Sequence, residues 1–393
     1  MKPLKLIIHT GAPWEPTGYG TQASLLGRWL HKQGHEVIYS ARSGLFYQVA
    51  QHDGCPVLPS TPFYGDGFQD EMLPGHVAAV QPDAVIVLYD LWNFGLPPER
   101  LPRVPFLFWA AVDHSRLGPK EYAYLASGKL YPVAMSQFGK SVIEQAGFSC
   151  GYVPHSIQTN KWAPLPSARA EIRQQQFGLP DDAFVIGINA TSTDTRRKGL
   201  FEQIEAFGDF TRRHPKANAV LMLHTLSNFI WGADVNAMCA EQGLPETAVR
   251  ITPAYNYLMG IPADWMVGWY NACDLVSNVT YGEGFGLAAI EAQACGVPVV
   301  LSDGSTGPEL VGPGWLVKTQ PAWNETHRAQ WHTPLKASIT AAYEKAYRIY
   351  RQPEQASALR QKAWRFASRY EWEAVSPGWE TCLSDALGVP LED

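Results

Sequence analysis

Two glutamates in the stretch GEGFGLAAIEAQACGVPVV carry side chains that could act in chemistry, and they stand eight positions apart. Glu283 lies among glycines, and Glu291 lies in a pattern typical of a helix that begins at Leu287. Gly284 and Gly286 allow a tight turn and a close backbone approach to a ligand. Because free N–H groups at a helix N-terminus bind anions, the pattern favours a ligand site. The alternative is a capping carboxylate followed by a packing helix.

A basic run, Arg196-Arg197-Lys198, precedes Gly199 and an apolar helix pattern. Basic groups in such a place can stabilise negative charge on phosphate groups. The alternative interpretation is the solvated start of a helix.

Polar residues also follow two apolar strands in the first half of the chain. Asp113 and His114 come directly after the apolar strand 104–112, at its carboxyl end, where ligands of parallel sheets bind. The alternative for His114 is a histidine satisfied by a loop carbonyl. Gly18 and Gly20 follow the first strand and predict a loop that can approach a phosphate closely, although a lone GxG is weak evidence.

Composition limits the class of protein. The 393 residues carry a formal net charge of −6, which gives no general electrostatic reason for binding nucleic acid. The six cysteines show no zinc spacing, and no DxD-like metal pair stands at a strand end. The first residues, MKPLKLIIHT, predict a strand and not a secretory signal, and no run of about 18 apolar residues predicts a spanning helix. We therefore expect a cytoplasmic protein.

Strands and helices alternate twice along the chain, on either side of a segment at 154–170 that is rich in proline and polar residues. Such alternation predicts parallel sheets covered on both faces. We predict an α/β protein of two Rossmann-like, doubly wound domains that face each other across a cleft. The first domain is expected at 1–157 and the second at 158–370, with a C-terminal helical segment at 371–393.

Six segments together resemble one known family, the retaining GT-B glycosyltransferases of glycosyltransferase family 4 type. EGFGLAAIE resembles that family's signature of two glutamates, and TGYGTQASLLGRWLHKQGHEV resembles its N-terminal glycine loop and first helix. The other similar segments are GYVPHSIQTNKW at the hinge, RRKGLFEQIEAF at the phosphates, WYNACDLVSNVTYGEGFGL before the signature and FASRYEWEAV near the C-terminus. The resemblance covers nearly the whole chain.

The resemblance implies transfer of a sugar, with retention, from a UDP- or GDP-linked nucleotide sugar. Glu283 would reach the donor sugar, and Glu291 would hold the ribose hydroxyls roughly 12 Å away along the helix. The remaining donor-side residues would contact the sugar or the phosphates: Gly18, Gly20, Arg196, Arg197, Lys198, Gly284, Phe285, Gly286 and Leu287. The common family form has an arginine five positions before the lysine. Here Thr193 stands five before Lys198, so the choice between Arg196 and Arg197 stays open.

The first domain would take the acceptor side, and either His114 or Asp113 would act at the sugar. Residues 371–393 would cross back to the first domain. No metal and no separate cofactor are expected, because GT-B enzymes generally use basic groups and helix dipoles instead. The acceptor is left open among a glycan, a lipid, a small molecule, a protein and a modified base. The alternatives are an isomerase or epimerase of the same architecture and a non-catalytic nucleotide-sugar-binding protein.

Overall fold

The structure is a computed structural model that describes residues 2–61, 69–194, 196–228 and 232–388. Its strands are β1 (Lys5–Thr10), β2 (Glu36–Ala41), β3 (Ala50–His52), β4 (Cys55–Leu58), β5 (Ala84–Tyr89), β6 (Phe106–Ala110), β7 (Leu130–Ala134), β8 (Gly151–Tyr152), β9 (Phe184–Asn189), β10 (Ala219–His224), β11 (Val249–Ile251), β12 (Leu275–Asn278), β13 (Val299–Ser302), β14 (Trp315–Val317), β15 (Thr319–Asn324) and β16 (Ala329–Pro334).

The helices alternate with these strands, as predicted. They are α1 (Gly18–Lys32), α2 (Leu73–Val80), α3 (Pro119–Ala126), α4 (Gln137–Gln145), α5 (Arg169–Glu171), α6 (Leu200–Arg213), α7 (Val235–Glu241), α8 (Ala254–Met259), α9 (Ala263–Ala272), α10 (Leu287–Ala294), α11 (Gly307–Leu310), α12 (Lys336–Tyr350), α13 (Pro353–Ala367), α14 (Trp372–Val375) and α15 (Gly378–Leu387). None of those in the described part of the chain is long and apolar enough to cross a membrane.

The first compact unit comprises Met1–Ser156, Asn324–Ala329 and Trp372–Asp393. Its eight-stranded sheet has the order β3-β4-β2-β1-β5-β6-β7-β8 and is parallel except for β3. Strands β5 and β6 are almost wholly apolar because helices cover both faces of a parallel sheet.

A tryptophan cluster joins this sheet to the last helix of the same unit. Trp109 on β6 is fully buried, and its Nε1 donates to the carbonyl of Val153 at 2.7 Å. Its ring meets the edge of Trp379 on α15 with centroids 4.9 Å apart. An aromatic pair of this kind contributes about 0.5–1.5 kcal/mol beyond its buried area, so α15 is a firm part of the first unit.

The second compact unit comprises Ile157–Trp323 and Gln330–Glu371. Its six-stranded sheet, with the order β11-β10-β9-β12-β13-β14, is parallel throughout. β9 lies at the centre, and the carboxyl ends of β9 and β12 lead into the two segments predicted to bind the donor.

Several sequence predictions can be compared with these elements. Helix α10 begins at Leu287, as predicted, and Ser136 caps α4 by accepting from the Gly139 N–H at 3.0 Å. The sequence pattern does not predict the paired strands β3–β4 and β15–β16. The short tip of the second pair, 324–329, groups with the first unit, and nothing in the sequence indicated this.

Candidate functional site

A lysine–glutamate pair lies at the carboxyl edge of the second sheet. Nζ of Lys198 lies 2.6 Å from Oε2 of Glu283, and both side chains are mostly buried, at 14% and 20% exposure. Lys198 stands just before α6, and Glu283 stands just before α10. Two helix N-termini, each with the positive end of its dipole, therefore lie close to the same pair.

The two arginines of the basic run, Arg196 and Arg197, lie in different environments. Arg196 is exposed, whereas NH1 of Arg197 lies 3.7 Å from Oε1 of Glu283. Asp194 orders the turn, because its Oδ1 accepts from the backbone N–H groups of both arginines at 2.7 and 2.8 Å. Of the two arginines, Arg197 is the one that lies beside Glu283 and Lys198.

A buried amide fixes the position of Lys198 relative to the end of β12. Nε2 of Gln203 donates to the carbonyls of Lys198 at 2.9 Å and Val279 at 3.2 Å. Its Oε1 accepts from the hydroxyl of Ser277 at 2.7 Å. Gly199 adopts a positive φ of 54°, and a Cβ there would lie 2.5 Å from the carbonyl oxygen of Val279. Only glycine therefore allows this close approach.

The turn between Glu283 and α10 is held by the loop that follows β13. The N–H of Glu283 donates to Oγ of Ser305 at 3.2 Å, and the hydroxyl of Thr306 donates to the carbonyl of Phe285 at 2.7 Å. Gly286 ends the turn with a φ of 112°. Gly284 and Phe285 are buried, and Leu287 begins the helix, so this turn is preformed.

Glu291 lies on α10 at the end of a hydrogen-bonded chain that the sequence did not reveal. The hydroxyl of Tyr270 donates to Oε2 of Glu291 at 2.8 Å and accepts from Nδ2 of Asn189 at 2.7 Å. Burial raises the pKa of Glu291 to about 7, and the Tyr270 bond and the charge of Lys161 oppose that shift. Glu291 is thus a carboxylate whose charge changes near neutral pH.

In the first unit, His114 lies between two carboxylates. Its Nδ1 is 2.7 Å from Oδ1 of Asp113, and its Nε2 is 2.8 Å from Oε2 of Glu121. Burial opposes the charged ring, but the hydrogen bonds and charges of the two carboxylates outweigh it and raise the pKa of His114 to about 10. His114 is therefore an imidazolium that donates from both nitrogens, which leaves it no lone pair for a base or a ligand.

A second histidine adds to this cluster. The ring of His327 stacks on that of His114 with centroids 4.9 Å apart, and ligand atoms of Asp113, His114 and His327 all lie within 4.8 Å of one another. A metal ion bound there would have to displace the proton that His114 shares with Asp113. The carboxylate pairing of His114 thus disfavours a metal at this cluster.

Gly18 and Gly20 lie in the first turn of α1. The predicted loop is wrong, because α1 already begins at Gly18, with Thr17 as the N-cap that accepts from the Gly20 N–H at 3.0 Å. A Cβ at Gly20 would lie 2.5 Å from the carbonyl oxygen of Glu15. Glycine at 20 is therefore required by the chain itself, whatever else approaches this helix N-terminus.

Part of the chain matches a known family. Residues 193–327 match the model of the family Glycosyl transferases group 1. A D-inositol 3-phosphate glycosyltransferase of Corynebacterium jeikeium is 32% identical over 148 residues, which is 38% of this chain and 34% of the relative. A GDP-mannose-dependent alpha-(1-6)-phosphatidylinositol monomannoside mannosyltransferase of Mycolicibacterium smegmatis is 29% identical over 175 residues, 42% of this chain and 41% of the relative. The chain thus spans about a third to two fifths of the length of these relatives.

Solved structures match over almost the whole length. Sucrose-phosphate synthase from Thermosynechococcus elongatus has a TM-score of 0.75 at 19% identity, covering 98% of this chain and 99% of that one. HepE of Anabaena, solved in complex with UDP-glucose, has a TM-score of 0.68 at 17% identity, covering 97% and 100%. These findings confirm the predicted fold class, with two Rossmann-like domains, and the resemblance to GT-B glycosyltransferases.

Proposed function

We propose that the chain is a retaining glycosyltransferase that moves a sugar from a UDP- or GDP-linked donor to an acceptor. The proposal rests on one observation: Lys198 and Arg197 both lie close to the Glu283 carboxylate, where α6 and α10 begin. Cations just before a helix N-terminus oppose the helix dipole unless an anion lies there. In the absence of donor, Glu283 supplies that anion.

The donor diphosphate would become the second anion. Lys198 and Arg197 would bind its oxygens together with the backbone N–H groups at the start of α6, and so stabilise the charge that develops as the leaving group departs. Glu283 would then lie beside the donor sugar, where its carboxylate stabilises positive charge at the anomeric carbon. Glu291 would accept hydrogen bonds from the ribose hydroxyls.

The location of the family match supports this assignment, because residues 193–327 contain Lys198, Glu283 and Glu291. One relative is named as GDP-mannose-dependent, and HepE was solved with UDP-glucose. Both nucleotides therefore stay in the proposal. Relatives named for D-inositol 3-phosphate and phosphatidylinositol monomannoside make inositol-containing acceptors the first to test.

We propose that no metal takes part, since Lys198 and Arg197 can neutralise the diphosphate. Incubation with UDP- and GDP-sugars, with and without acceptors, followed by mass spectrometry, tests the function. A glycosylated product whose anomeric configuration by NMR matches the donor supports it. Free or epimerised sugar would instead indicate an isomerase or epimerase, and binding without turnover would indicate a nucleotide-sugar-binding protein. Glu283→Gln is the control variant, and it should bind nucleotide but lose turnover.

A further inference from the structure

A cavity of about 490 Å³ lies in the second unit, away from the proposed donor residues. Asp274, Pro298 and Trp315 line it, and they stand at the amino ends of β12, β13 and β14. Lys198 and Glu283 instead follow the carboxyl ends of strands. The cavity therefore lies at the opposite edge of the same sheet, and its volume falls in the range of about 300–1,000 Å³ typical of small-molecule sites.

Positive charge exceeds negative charge at one wall of this cavity. The guanidinium of Arg169 pairs with Oδ1 of Asp274, and NH2 of Arg173 lies 3.6 Å from Oδ2 of the same carboxylate. Oδ2 also accepts from the N–H of Val185 at 2.9 Å. A single carboxylate thus serves two arginines and a backbone donor, so it has little capacity left for a third cation.

The third cation is Arg360 on α13. Its NH1 donates to the carbonyl of Cys273 at 3.2 Å, and within the described part of the chain no carboxylate forms an ion pair with it. Burial, together with the nearby charge of Arg169, lowers the pKa of Arg360 to about 10, and the charge of Asp274 opposes this shift only in part. A partly buried cation that shares one carboxylate with two other arginines is costly, and a bound anion would reduce that cost.

The polar residues Asn271, Tyr350 and Ser357 also line the cavity. Much of the remaining wall is apolar and includes the following side chains: Pro164, Leu165, Pro298, Trp315, Ile349 and Leu359. We propose that this cavity is a ligand site for a small amphiphilic anion, with a carboxylate or phosphate monoester bound to Arg360 and an apolar body against these side chains. The planar guanidinium binds both head groups through two parallel hydrogen bonds, so the two head groups share one chemistry.

Direct binding to the full chain tests the proposal. The probes are octanoate and 1-naphthyl phosphate, with the neutral octan-1-ol and inorganic phosphate as comparisons, measured by calorimetry. We expect both amphiphilic anions to bind at least about tenfold more tightly than either comparison compound. Octan-1-ol lacks the anionic head group, and inorganic phosphate lacks the apolar body. Equal affinity for octanoate and octan-1-ol would overturn the proposal, as would the absence of binding by both anions at millimolar concentration.

Variants locate the binding. Arg360→Met removes the charge and keeps most of the volume, and it should weaken both anions at least about tenfold. Arg365 is an exposed arginine on the same helix, so Arg365→Met is the matched control. It should leave the affinity for both anions unchanged. Ser357→Trp should block the cavity with every arginine present, which keeps the test valid if Arg360→Met does not fold. Unchanged affinity in Ser357→Trp would overturn the proposal.

Discussion

Lys198 and Glu283 are 85 positions apart in the chain, and their side chains meet at 2.6 Å where α6 and α10 begin. Both side chains are mostly buried, so each charge depends on its partner, and removing one of them should cost stability. The geometry also concentrates charge at two helix N-termini.

Lys198→Met should lower kcat by about 10²–10³, because the leaving diphosphate would lose a cation that we propose neutralises it. The unfolding free energy should fall as well, because the mostly buried Glu283 loses its closest cation. Turnover at saturating donor, together with urea unfolding, measures both quantities. Arg196→Met is the matched control, because Arg196 is exposed and stands outside the pair. An equal loss of kcat in Lys198→Met and Arg196→Met would contradict the prediction that only Lys198 acts on the diphosphate.

Glu291 should make donor binding depend on pH. Its pKa is raised to about 7 by burial, so the carboxylate that we propose accepts from the ribose forms only as pH rises through about 7. Nucleotide affinity should increase over this range in the wild type. The nucleotide's own titration is common to both proteins, so Glu291→Gln should remove only the part of the increase that Glu291 causes. Calorimetric titrations of UDP and GDP across this range provide the measurement, and superimposable profiles would argue against the ribose role.

The raised pKa of Glu291 also makes the stability of the fold depend on pH. The folded-state pKa of Glu291 lies above its unfolded value, so the protonated form is favoured by folding. The contribution is present below about pH 4.5 and is lost as pH rises through about 7. Urea unfolding of the wild type and Glu291→Gln should therefore diverge between these values, with the wild type losing stability relative to the variant. A constant difference in unfolding free energy would show that this carboxyl does not titrate there.

Tyr270→Phe removes the hydroxyl that donates to Glu291. Because that bond lowers the pKa of Glu291, its loss should move the pH profile of nucleotide binding to higher pH and raise the donor KM more than it lowers kcat. Tyr124→Phe is the control, since it removes a buried hydroxyl of the first unit that donates to the carbonyls of Phe94 and Leu96. The prediction fails if both variants keep the wild-type profile.

His114→Ala should destabilise the first unit by about 3–5 kcal/mol, because Asp113 and Glu121 lose the buried cation between them. The folded-state pKa of His114 is raised to about 10, so its stabilisation is complete below about pH 6.5 and is lost as pH rises through about 10. Urea unfolding at pH 6 and pH 10 measures the destabilisation by His114→Ala and its decrease at the higher pH. His31 is exposed, so His31→Ala is the control. An unchanged midpoint in His114→Ala would contradict the pairing.

Turnover should persist in EDTA if Lys198 and Arg197 neutralise the diphosphate alone. The measurement compares initial rates in EDTA with rates after Mg²⁺, Mn²⁺ or Zn²⁺ is restored. Loss in EDTA with recovery in one metal would refute metal independence. Asp113→Asn would then show whether that metal binds at the Asp113, His114 and His327 cluster.

Local patterns were sufficient for the strand–helix alternation and for the start of α10, because apolar periodicity and glycine stops act over a few residues. They were not sufficient for Tyr270 or Gln203, whose partners Glu291 and Val279 lie far along the chain. They also could not separate Arg196 from Arg197, because the direction of each side chain depends on the turn that Asp194 closes.

Local patterns also do not predict the two carboxylates that flank His114. Its position after a strand suggested a chemical role, but Glu121 reaches it only because α3 begins with a turn in which the Gly118 N–H also donates to Glu121, at 2.6 Å. A carboxylate seven positions away in a different element carries no signal in a single sequence.

Gln203 and Tyr270 belong to separate hydrogen-bond networks, and this separation matters for how the protein can change. Gln203 secures the lysine that would face the phosphates, whereas Tyr270 secures the glutamate that would face the ribose. Substitutions at Tyr270 should therefore change the affinity for the nucleoside end of the donor while the phosphate end is preserved. Because UDP- and GDP-linked donors share the same ribose, such substitutions would adjust the strength of donor binding and not the choice of base.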